Sequence, residues 1–251
     1  MRNIVLIGSG NVASHLGFCL LKKGYNIIQV WSKRLINAEV LAKKLNSIAT
    51  NDLCKIKNAD LYIVSVKDDV LSSVIQQLQV NNIIHTSGAI GLEVFNNRSK
   101  NYGVLYPLQT FNKNIKLDLS QTPMCIEANN KLFENHLMNI GDDLSNQVIT
   151  MNSKQRQQLH IAAVFACNFT NHMYSIADSI LAKSDINFKL LLPLINQTVK
   201  KLNQNKPSQV QTGPAKREDK KIMQSHINNI SSKESKEIYK LMSNAIIKNN
   251  D

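Results

Sequence analysis

Ile4-Val5-Leu6-Ile7-Gly8-Ser9-Gly10-Asn11-Val12-Ala13 is the stretch that decides the fold of this chain. Four apolar residues, mostly β-branched, run directly into a glycine-rich turn, and apolar side chains then recur at helical spacing as far as Leu20. A strand, a tight turn and a helix in this order, with the pattern G-x-G-x-x-A, are typical of a dinucleotide-binding unit.

The small residues of this pattern each have a physical role. Gly8 permits a sharp exit from the strand, Gly10 lets a pyrophosphate approach the backbone, and Ala13 lets the helix pack close to the strand. The phosphates are expected at the helix N-terminus, where N–H groups and the helix dipole favour an anion. A tight turn without a ligand is the alternative, but a second strand at 26–31 follows at the right distance for nucleotide binding. The predicted cofactor-binding residues of this loop are Gly8, Ser9, Gly10, Asn11 and Val12.

The end of the second strand usually selects the cofactor. NAD-binding proteins carry an acidic residue there for the ribose 2′-hydroxyl, whereas NADP-binding proteins carry basic groups for the 2′-phosphate. Here the strand is followed by Ser32, Lys33 and Arg34, with no acid. A hydroxyl and two cations suit a dianionic phosphate, so the sequence predicts NADP(H). A solvated basic loop is the alternative interpretation.

Further strands alternate with helical patterns up to residue 151. They are predicted at 59–66, 82–86, 104–111, 124–128 and 147–151. These strands lack polar alternation and their links are short, which predicts an α/β domain at 1–151 with a Rossmann-like, mostly parallel sheet.

The pattern changes at Asn152, after which no strand is predicted. Helices are expected at 154–183, 188–203, 220–230 and 233–248. Residues 152–251 are therefore predicted to form an all-α C-terminal domain.

Composition excludes several classes of protein. The chain has 251 residues and a formal net charge of +12, of which +4 lies up to Thr150 and +8 beyond it. The lysines are scattered and match no nucleic-acid-binding motif, so no nucleic-acid partner is expected. The four cysteines form no C-x-x-C pair and are interpreted as buried thiols in a reducing, cytoplasmic compartment. Polar residues interrupt the apolar stretch 161–182, so no membrane span is expected.

A nucleotide-binding sheet followed by a helical domain with one long leading helix resembles the β-hydroxyacid dehydrogenase superfamily, which includes pyrroline-5-carboxylate reductase and ketopantoate reductase. Four stretches are similar to one branch of it, the bacterial NADP oxidoreductases with a Rossmann-like domain and a DUF2520 C-terminal domain. The four stretches are His85-Thr86-Ser87-Gly88-Ala89, Tyr106-Pro107-Leu108-Gln109-Thr110-Phe111, His160-Ile161-Ala162-Ala163-Val164-Phe165-Ala166-Cys167-Asn168-Phe169 and Thr212-Gly213-Pro214-Ala215-Lys216-Arg217.

This resemblance implies an NADP(H)-dependent oxidoreductase, and coenzyme F420 as a co-substrate because some members are labelled F420-dependent. Relatives with this layout tend to pair. Together with the apolar length of 161–182, this predicts a homodimer through the helical domain.

Reductases of the superfamily often place a lysine on the long helix four residues before an asparagine. If Asn168 is that asparagine, Val164 occupies the lysine position. Either the proton donor then lies elsewhere or the reaction differs.

The first candidate residues of the reaction site lie at the carboxyl ends of predicted strands. Ligands of such sheets lie at the carboxyl ends of the strands, which points to Val66 for the cofactor and to Ser87 for both cofactor and catalysis. Ser87 fits a turn or helix-cap serine equally well. Tyr106 and Gln109 flank the end of the next strand, as a pocket wall or as sheet packing.

The second set of candidate residues lies on the predicted long helix. His160, Asn168 and His172 share one stripe of the long helix. We assign His160 and Asn168 to catalysis, with an interhelical hydrogen bond as the alternative, and treat His172 as structural. The stripe lacks the companions of a zinc site, so no metal is expected. Lys216 and Arg217 could bind a substrate carboxylate for their own or a partner subunit, or form a solvated charge run.

Two hypotheses about function follow. The first is an NADP(H)-dependent reductase or dehydrogenase acting on a small anionic metabolite, with Ser87 and Tyr106 on one wall of an interdomain cleft and His160 and Asn168 on the other. The second is a pyridine-nucleotide-binding regulatory protein without turnover, which the missing lysine favours. The sequence names neither the substrate nor the direction of reaction.

Overall fold

The computed structural model describes residues 2–249. The chain divides into two compact units, residues 1–167 and 168–251. The first unit contains every strand of the described residues, and the second is helical. The predicted fold class, a Rossmann-like mostly parallel sheet followed by a helical region, is confirmed.

The first unit is built on an eight-stranded sheet within the described part of the chain. Its strands are β1 Asn3–Ile7, β2 Asn26–Trp31, β3 Ile48–Thr50, β4 Leu61–Val64, β5 Asn82–His85, β6 Asn101–Pro107, β7 Met124–Ala128 and β8 Val148–Thr150. The order across the sheet is β3-β2-β1-β4-β5-β6-β7-β8. All neighbours are parallel except β6 and β7. The carboxyl ends of β1, β4, β5 and β6 therefore share one edge.

Helices cover both faces of this sheet. They are α1 Asn11–Lys22, α2 Leu35–Leu45, α3 Asp68–Ile75 and α4 Lys131–Leu144. One apolar cluster joins α1, α2 and α4 to the sheet, and a second joins α3 and the short helix at 92–95 to the opposite face. Strands covered on both faces carry continuous apolar runs, which is why Ile4–Ile7 are fully buried.

The roles assigned to the small residues of the N-terminal loop agree with the packing. Gly8 has φ +126°, and a Cβ there would collide with the carbonyl oxygen of Ser65. Ala13, in the first turn of α1, is fully buried against the sheet. Gly17 continues this close approach, because a Cβ on it would press on Leu6 and Leu45.

Several details of the sheet differ from the prediction. β3, a strand of three residues at one edge of the sheet, was not predicted. β6 lies at Asn101–Pro107 and not at 104–111, since the chain leaves the sheet after Pro107. β7 runs antiparallel to β6, which the strand pattern alone does not reveal.

The long helix begins as predicted, but it is not uniform. It consists of α5 Ser153–Ala163, a π-helical segment Val164–Phe169 and α6 Thr170–Ala182. Asn152 and Gln155 form a capping box at its start. The change from strands to helices thus falls at 151/152, whereas the compact units divide within the π-helical segment because the first turns of α5 pack on the sheet.

The second unit continues with α7 Leu192–Lys201, α8 Lys220–Asn229 and α9 Lys233–Lys248. Ala215 is its only buried apolar residue within the described range. None of the helices in residues 2–249 is long and apolar enough to cross a membrane.

The interpretation of the cysteines as buried thiols is only partly right. Cys125 is buried and Cys19 is half-buried, but Cys54 and Cys167 are exposed. Cys54 lies in a short 3₁₀ turn, and Cys167 in the π-helical segment.

Candidate cofactor cleft and adjoining polar cluster

A cleft of about 1430 Å³ opens at the carboxyl ends of β1, β2 and β4. Seven of the ten predicted cofactor-binding residues line it, namely Gly8, Ser9, Gly10, Ser32, Lys33, Arg34 and Val66. Other lining residues were not predicted from the sequence, among them Trp31, Asn37, Lys44, Cys54, Lys113 and Asn114. These come from separate segments that only the folded sheet brings together.

The glycine loop leaves room for a phosphate. No described atom lies within 4 Å of the position that a Cβ on Gly10 would occupy. Gly10 is also the N-cap residue of α1, and the first turn of this helix contains no acidic side chain. Unpaired N–H groups, the positive end of the helix dipole and open space make this loop suited to a pyrophosphate.

The far end of the cleft is basic. Ser32, Lys33 and Arg34 follow β2, and the side chains of Lys33 and Arg34 are exposed. Asp52 is the one acid among the described residues that line the cleft. Its carboxylate caps a 3₁₀ turn through the N–H of Cys54 and lies 3.7 Å from the Lys55 ammonium. This end of the cleft therefore suits a 2′-phosphate better than a free ribose hydroxyl.

Three predicted cofactor residues do not line the cleft. Asn11 donates its amide N–H to the carbonyl of Phe111 at 2.9 Å and accepts from the N–H of Lys113 at 3.2 Å. Val12 packs against the core of the sheet, and Ser87 lies beyond the cleft at the end of β5. The assignment of these three residues to the cofactor stays a prediction.

A line of polar contacts leads from the glycine loop along the edge of the sheet. The backbone of Ser65 touches Gly8, and Ser65 Oγ accepts a hydrogen bond from Thr86 Oγ1 at 3.1 Å. Thr86 directly precedes Ser87 and Gly88. Contacts between these residues thus join the carboxyl ends of β1, β4 and β5.

Tyr106 and His160 meet at the end of this line. The Tyr106 hydroxyl lies 3.0 Å from His160 Nδ1, and a Cβ on Gly88 would collide with both rings. Burial raises the pKa of Tyr106 to about 12, so the phenol keeps its proton at neutral pH. His160 is half-buried, on the last turn of α5.

Ser87 Oγ is engaged in a turn. It accepts hydrogen bonds from the N–H groups of Ala89 and Ile90, both at 3.1 Å. The Ser87 oxygen therefore stabilises the turn, whereas its hydroxyl hydrogen can still donate a hydrogen bond to another group. The catalytic assignment of Ser87 stays a prediction.

Three side chains of α5 that the sequence analysis did not select hold the loop after Gly88 in place. Gln157 donates to the carbonyl of Ala89 at 2.9 Å, and Ser153 Oγ accepts from the N–H of Leu92 at 3.3 Å. Arg156 is fully buried, donates to the carbonyl of Ile90 at 2.6 Å and pairs with Glu127 on β7. Together with His160, these residues occupy positions i, i+3, i+4 and i+7 and therefore share one face of the helix. Their partners are distant in sequence, so the helical spacing alone does not reveal the contacts.

His85 lies beneath the same loop. It is fully buried, stacks on Phe95 with ring centroids 5.5 Å apart, and its Nδ1 accepts from the N–H of Ser87 at 3.1 Å. Burial, reinforced by the Arg156 guanidinium, lowers the pKa of His85 to about 3, so the ring is neutral at physiological pH.

The remaining candidate residues are Gln109, Asn168, His172, Lys216 and Arg217. Gln109 is exposed and packs on its own turn, 3.5 Å from Thr122 Oγ1. Asn168 and His172 are exposed and belong to the helical unit, so the catalytic role of Asn168 stays a prediction. Arg217 forms an ion pair with Asp219 at 2.8 Å. Among the described residues, no group of His, Cys, Asp or Glu is arranged to hold a metal ion.

Two family models match the chain. Residues 3–87 match the model described as NADP oxidoreductase coenzyme F420-dependent, and residues 122–246 match the domain of unknown function DUF2520. No curated protein matches the chain.

Solved structures share the fold over nearly the whole chain. A protein from Bacteroides fragilis described as a putative NADP oxidoreductase is 38% identical, with a TM-score of 0.91 and 98% of each chain covered. An imine reductase from Myxococcus stipitatus in complex with NADP⁺ is 17% identical, with a TM-score of 0.65, and covers 98% of this chain and 92% of its own. The 1-pyrroline-5-carboxylate reductase of Streptococcus pyogenes is 18% identical, with a TM-score of 0.64 and coverage of 99% and 96%. At this identity, the last two show likeness of fold.

Proposed function

The chain belongs to the NADP oxidoreductase family with a DUF2520 C-terminal domain, and from this premise we propose that it is an NADP(H)-dependent reductase or dehydrogenase acting on a small anionic metabolite. The observation that carries the proposal is the line of contacts from the glycine loop to the Tyr106–His160 pair. It joins a cleft suited to a dinucleotide with a titratable side chain at the end where a nicotinamide would project.

The cofactor cleft divides into two parts with different tasks. The N–H groups at the start of α1 would hold the pyrophosphate, and Ser32, Lys33 and Arg34 would hold the 2′-phosphate. When bound, NADP(H) supplies or takes up a hydride at its nicotinamide ring. The protein must then move the accompanying proton.

His160 is the residue we propose for this proton. The Tyr106 hydroxyl oxygen can accept a hydrogen bond from His160 Nδ1–H, which leaves Nε2 to exchange a proton with a substrate. During reduction the imidazolium would give its Nε2 proton to the substrate and become the neutral ring protonated on Nδ1; during oxidation that neutral ring would accept a proton at Nε2. This arrangement provides a proton donor although Val164 stands at the lysine position.

Ser87 and Asn168 complete the proposed site. The Ser87 oxygen is fixed by two backbone N–H groups, which aims its hydroxyl hydrogen away from the turn to donate to a substrate or to the nicotinamide amide. Asn168 would orient a substrate carbonyl, as the helical stripe of the sequence suggests. Coenzyme F420 enters as a co-substrate only through the family description.

The test of this function compares two histidines of the long helix. NADPH oxidation is followed with a panel of small ketones and imines that carry a carboxylate. We expect His160→Gln to keep the NADPH affinity of the wild type but to lose turnover by about 10²–10⁴-fold. The matched variant His172→Gln should keep both. Equal turnover of the two variants would remove His160 from the mechanism.

A nucleotide-binding regulatory protein without turnover is the second candidate, which Val164 favours. It predicts tight NADPH binding without NADPH oxidation by any member of the panel. Single-turnover measurements with stoichiometric NADPH distinguish it from a slow enzyme.

We also propose that two copies of the chain associate through the helical unit. Large apolar side chains such as Leu190, Leu194 and Leu241 are 72%, 64% and 69% exposed, while Ala215 is the only buried apolar residue described in this unit. A helical region of this size needs a buried apolar core to be stable. A second copy, which presents the same surface, can provide it.

A further inference from the structure

The segment Phe111–Asn114 lies against the first turns of α1. Asn11 binds it with both ends of its amide, donating to the Phe111 carbonyl at 2.9 Å and accepting from the Lys113 N–H at 3.2 Å. His15 Nε2 lies 3.0 Å from the carbonyl oxygen of Asn112, which can only accept, so Nε2 carries the hydrogen. The rings of His15 and Phe111 pack with centroids 5.4 Å apart.

These contacts bring a cation to the cofactor cleft from outside the nucleotide-binding motif. Lys113 and Asn114 line the same cleft as Gly8, Ser9 and Gly10. Lys116 is three residues further along and does not line it. Asn11 and His15 sit on α1, whose N-terminus faces the glycine loop, so the segment is anchored at the phosphate end of the cleft and not at the basic end beyond β2.

We propose that residues 111–114 form a strap across the pyrophosphate site and that the Lys113 ammonium binds the pyrophosphate of the dinucleotide. The inference rests on the proposed function, because it requires that the cleft binds a dinucleotide. It assigns two separate tasks to the lysines of the cleft. Lys33 reads the 2′-phosphate and determines the preference for NADPH, whereas Lys113 binds a group that NADPH and NADH share.

The test measures dissociation constants for NADPH, NADH and adenosine 2′-monophosphate, which lacks the pyrophosphate. We expect Lys113→Met to weaken NADPH and NADH equally, by about tenfold or more, and to leave adenosine 2′-monophosphate unchanged. Lys116→Met, on the same segment, should behave as wild type. Lys33→Met should weaken NADPH and adenosine 2′-monophosphate but not NADH. The dependence of NADPH affinity on salt should also become shallower in Lys113→Met.

Asn11→Ala provides a second, indirect test of the strap. Because it releases the segment, it should weaken both dinucleotides, and adding Lys113→Met should cause less than the additive loss. Wild-type affinity in Lys113→Met would overturn the strap alone, as would a changed NADPH-to-NADH ratio. A wild type that binds neither dinucleotide would overturn the proposed function together with the strap.

Discussion

Gly88 is the residue at which the candidate reaction site comes together. Its hydrogen side chain leaves space that the rings of Tyr106 and His160 occupy. The sequence indicates Tyr106 and His160 separately, one from a strand end and one from a helical stripe. It does not indicate the hydrogen bond between them, because 54 residues separate them and no local pattern encodes such a contact.

His85 predicts a specific dependence of stability on pH. Its pKa is about 3 in the folded protein and 6.5 when exposed, so between these values the unfolded chain binds a proton that the folded chain does not. Below pH 6.5 the free energy of unfolding should therefore fall, by up to about 1.4 kcal/mol per pH unit.

The matched variant is His85→Gln, which can still accept from the N–H of Ser87 but does not titrate. Urea unfolding between pH 7.5 and 5 should show a steeper loss of stability for the wild type. Parallel curves for the two proteins would contradict the neutral, buried imidazole.

We expect the bound cofactor to protect the Cys54 thiol from alkylation. Its thiol is exposed and lines the cofactor cleft, whereas Cys167 is exposed elsewhere. NADPH should therefore slow alkylation of Cys54 by iodoacetamide and leave the rate at Cys167 unchanged. Mass spectrometry of the two peptides measures both rates, and equal protection would indicate a global effect and not occupancy of the cleft.

At the scale of elements, the first turns of α5 belong to the sheet unit. Ser153, Arg156, Gln157 and His160 form the face that packs on the loop after β5. The sequence predicted where this helix starts, because the strand pattern ends at Asn152 and helical spacing follows. It did not predict the buried pair of Arg156 with Glu127, since an arginine on a polar helix face is usually solvated.

Removing Arg156 should therefore cost far more than removing a surface arginine. Arg156→Met leaves Glu127 with an uncompensated charge in a largely buried site, so we expect a loss of about 3–5 kcal/mol in the free energy of unfolding. Arg217→Met breaks an exposed pair and should cost about 0.2–1 kcal/mol. Adding Glu127→Gln to Arg156→Met should restore part of the loss, and urea unfolding measures all three variants. A loss in Arg156→Met no larger than in Arg217→Met would contradict the stabilising role of the buried Arg156–Glu127 pair.

At the scale of the whole molecule, the two units differ in how far the sequence determines them. The sheet unit follows from alternating apolar strands and helices, and its prediction is confirmed. The helical unit was predicted from the absence of strand patterns and from helical spacing. The spacing of its apolar side chains predicted the helices correctly. It did not predict that so few of these side chains would be buried within the described chain.

The homodimer predicts a mass near twice 28.2 kDa by light scattering at micromolar concentration. Leu190→Glu combined with Leu241→Glu places charges on the exposed apolar surface of the helical unit and should shift the protein to monomer. Leu132→Glu is the control, because Leu132 is as exposed, at 71%, but lies on α4 of the sheet unit. A monomeric wild type, or a dimer that survives the double substitution, would contradict association through the helical unit.

The central position of β1 has a consequence for protein synthesis. It is the first strand along the chain, but it lies between β2, which ends at Trp31, and β4, which ends at Val64. While the ribosome translates the residues in between, one edge of a strand that is apolar from Ile4 to Ile7 has no neighbour to pair with. Slow translation across residues 32–64 therefore prolongs the time for which the unpaired edge of β1 is exposed. We expect nascent-chain chaperones to bind β1 during this time, in preference to the helices that are made later.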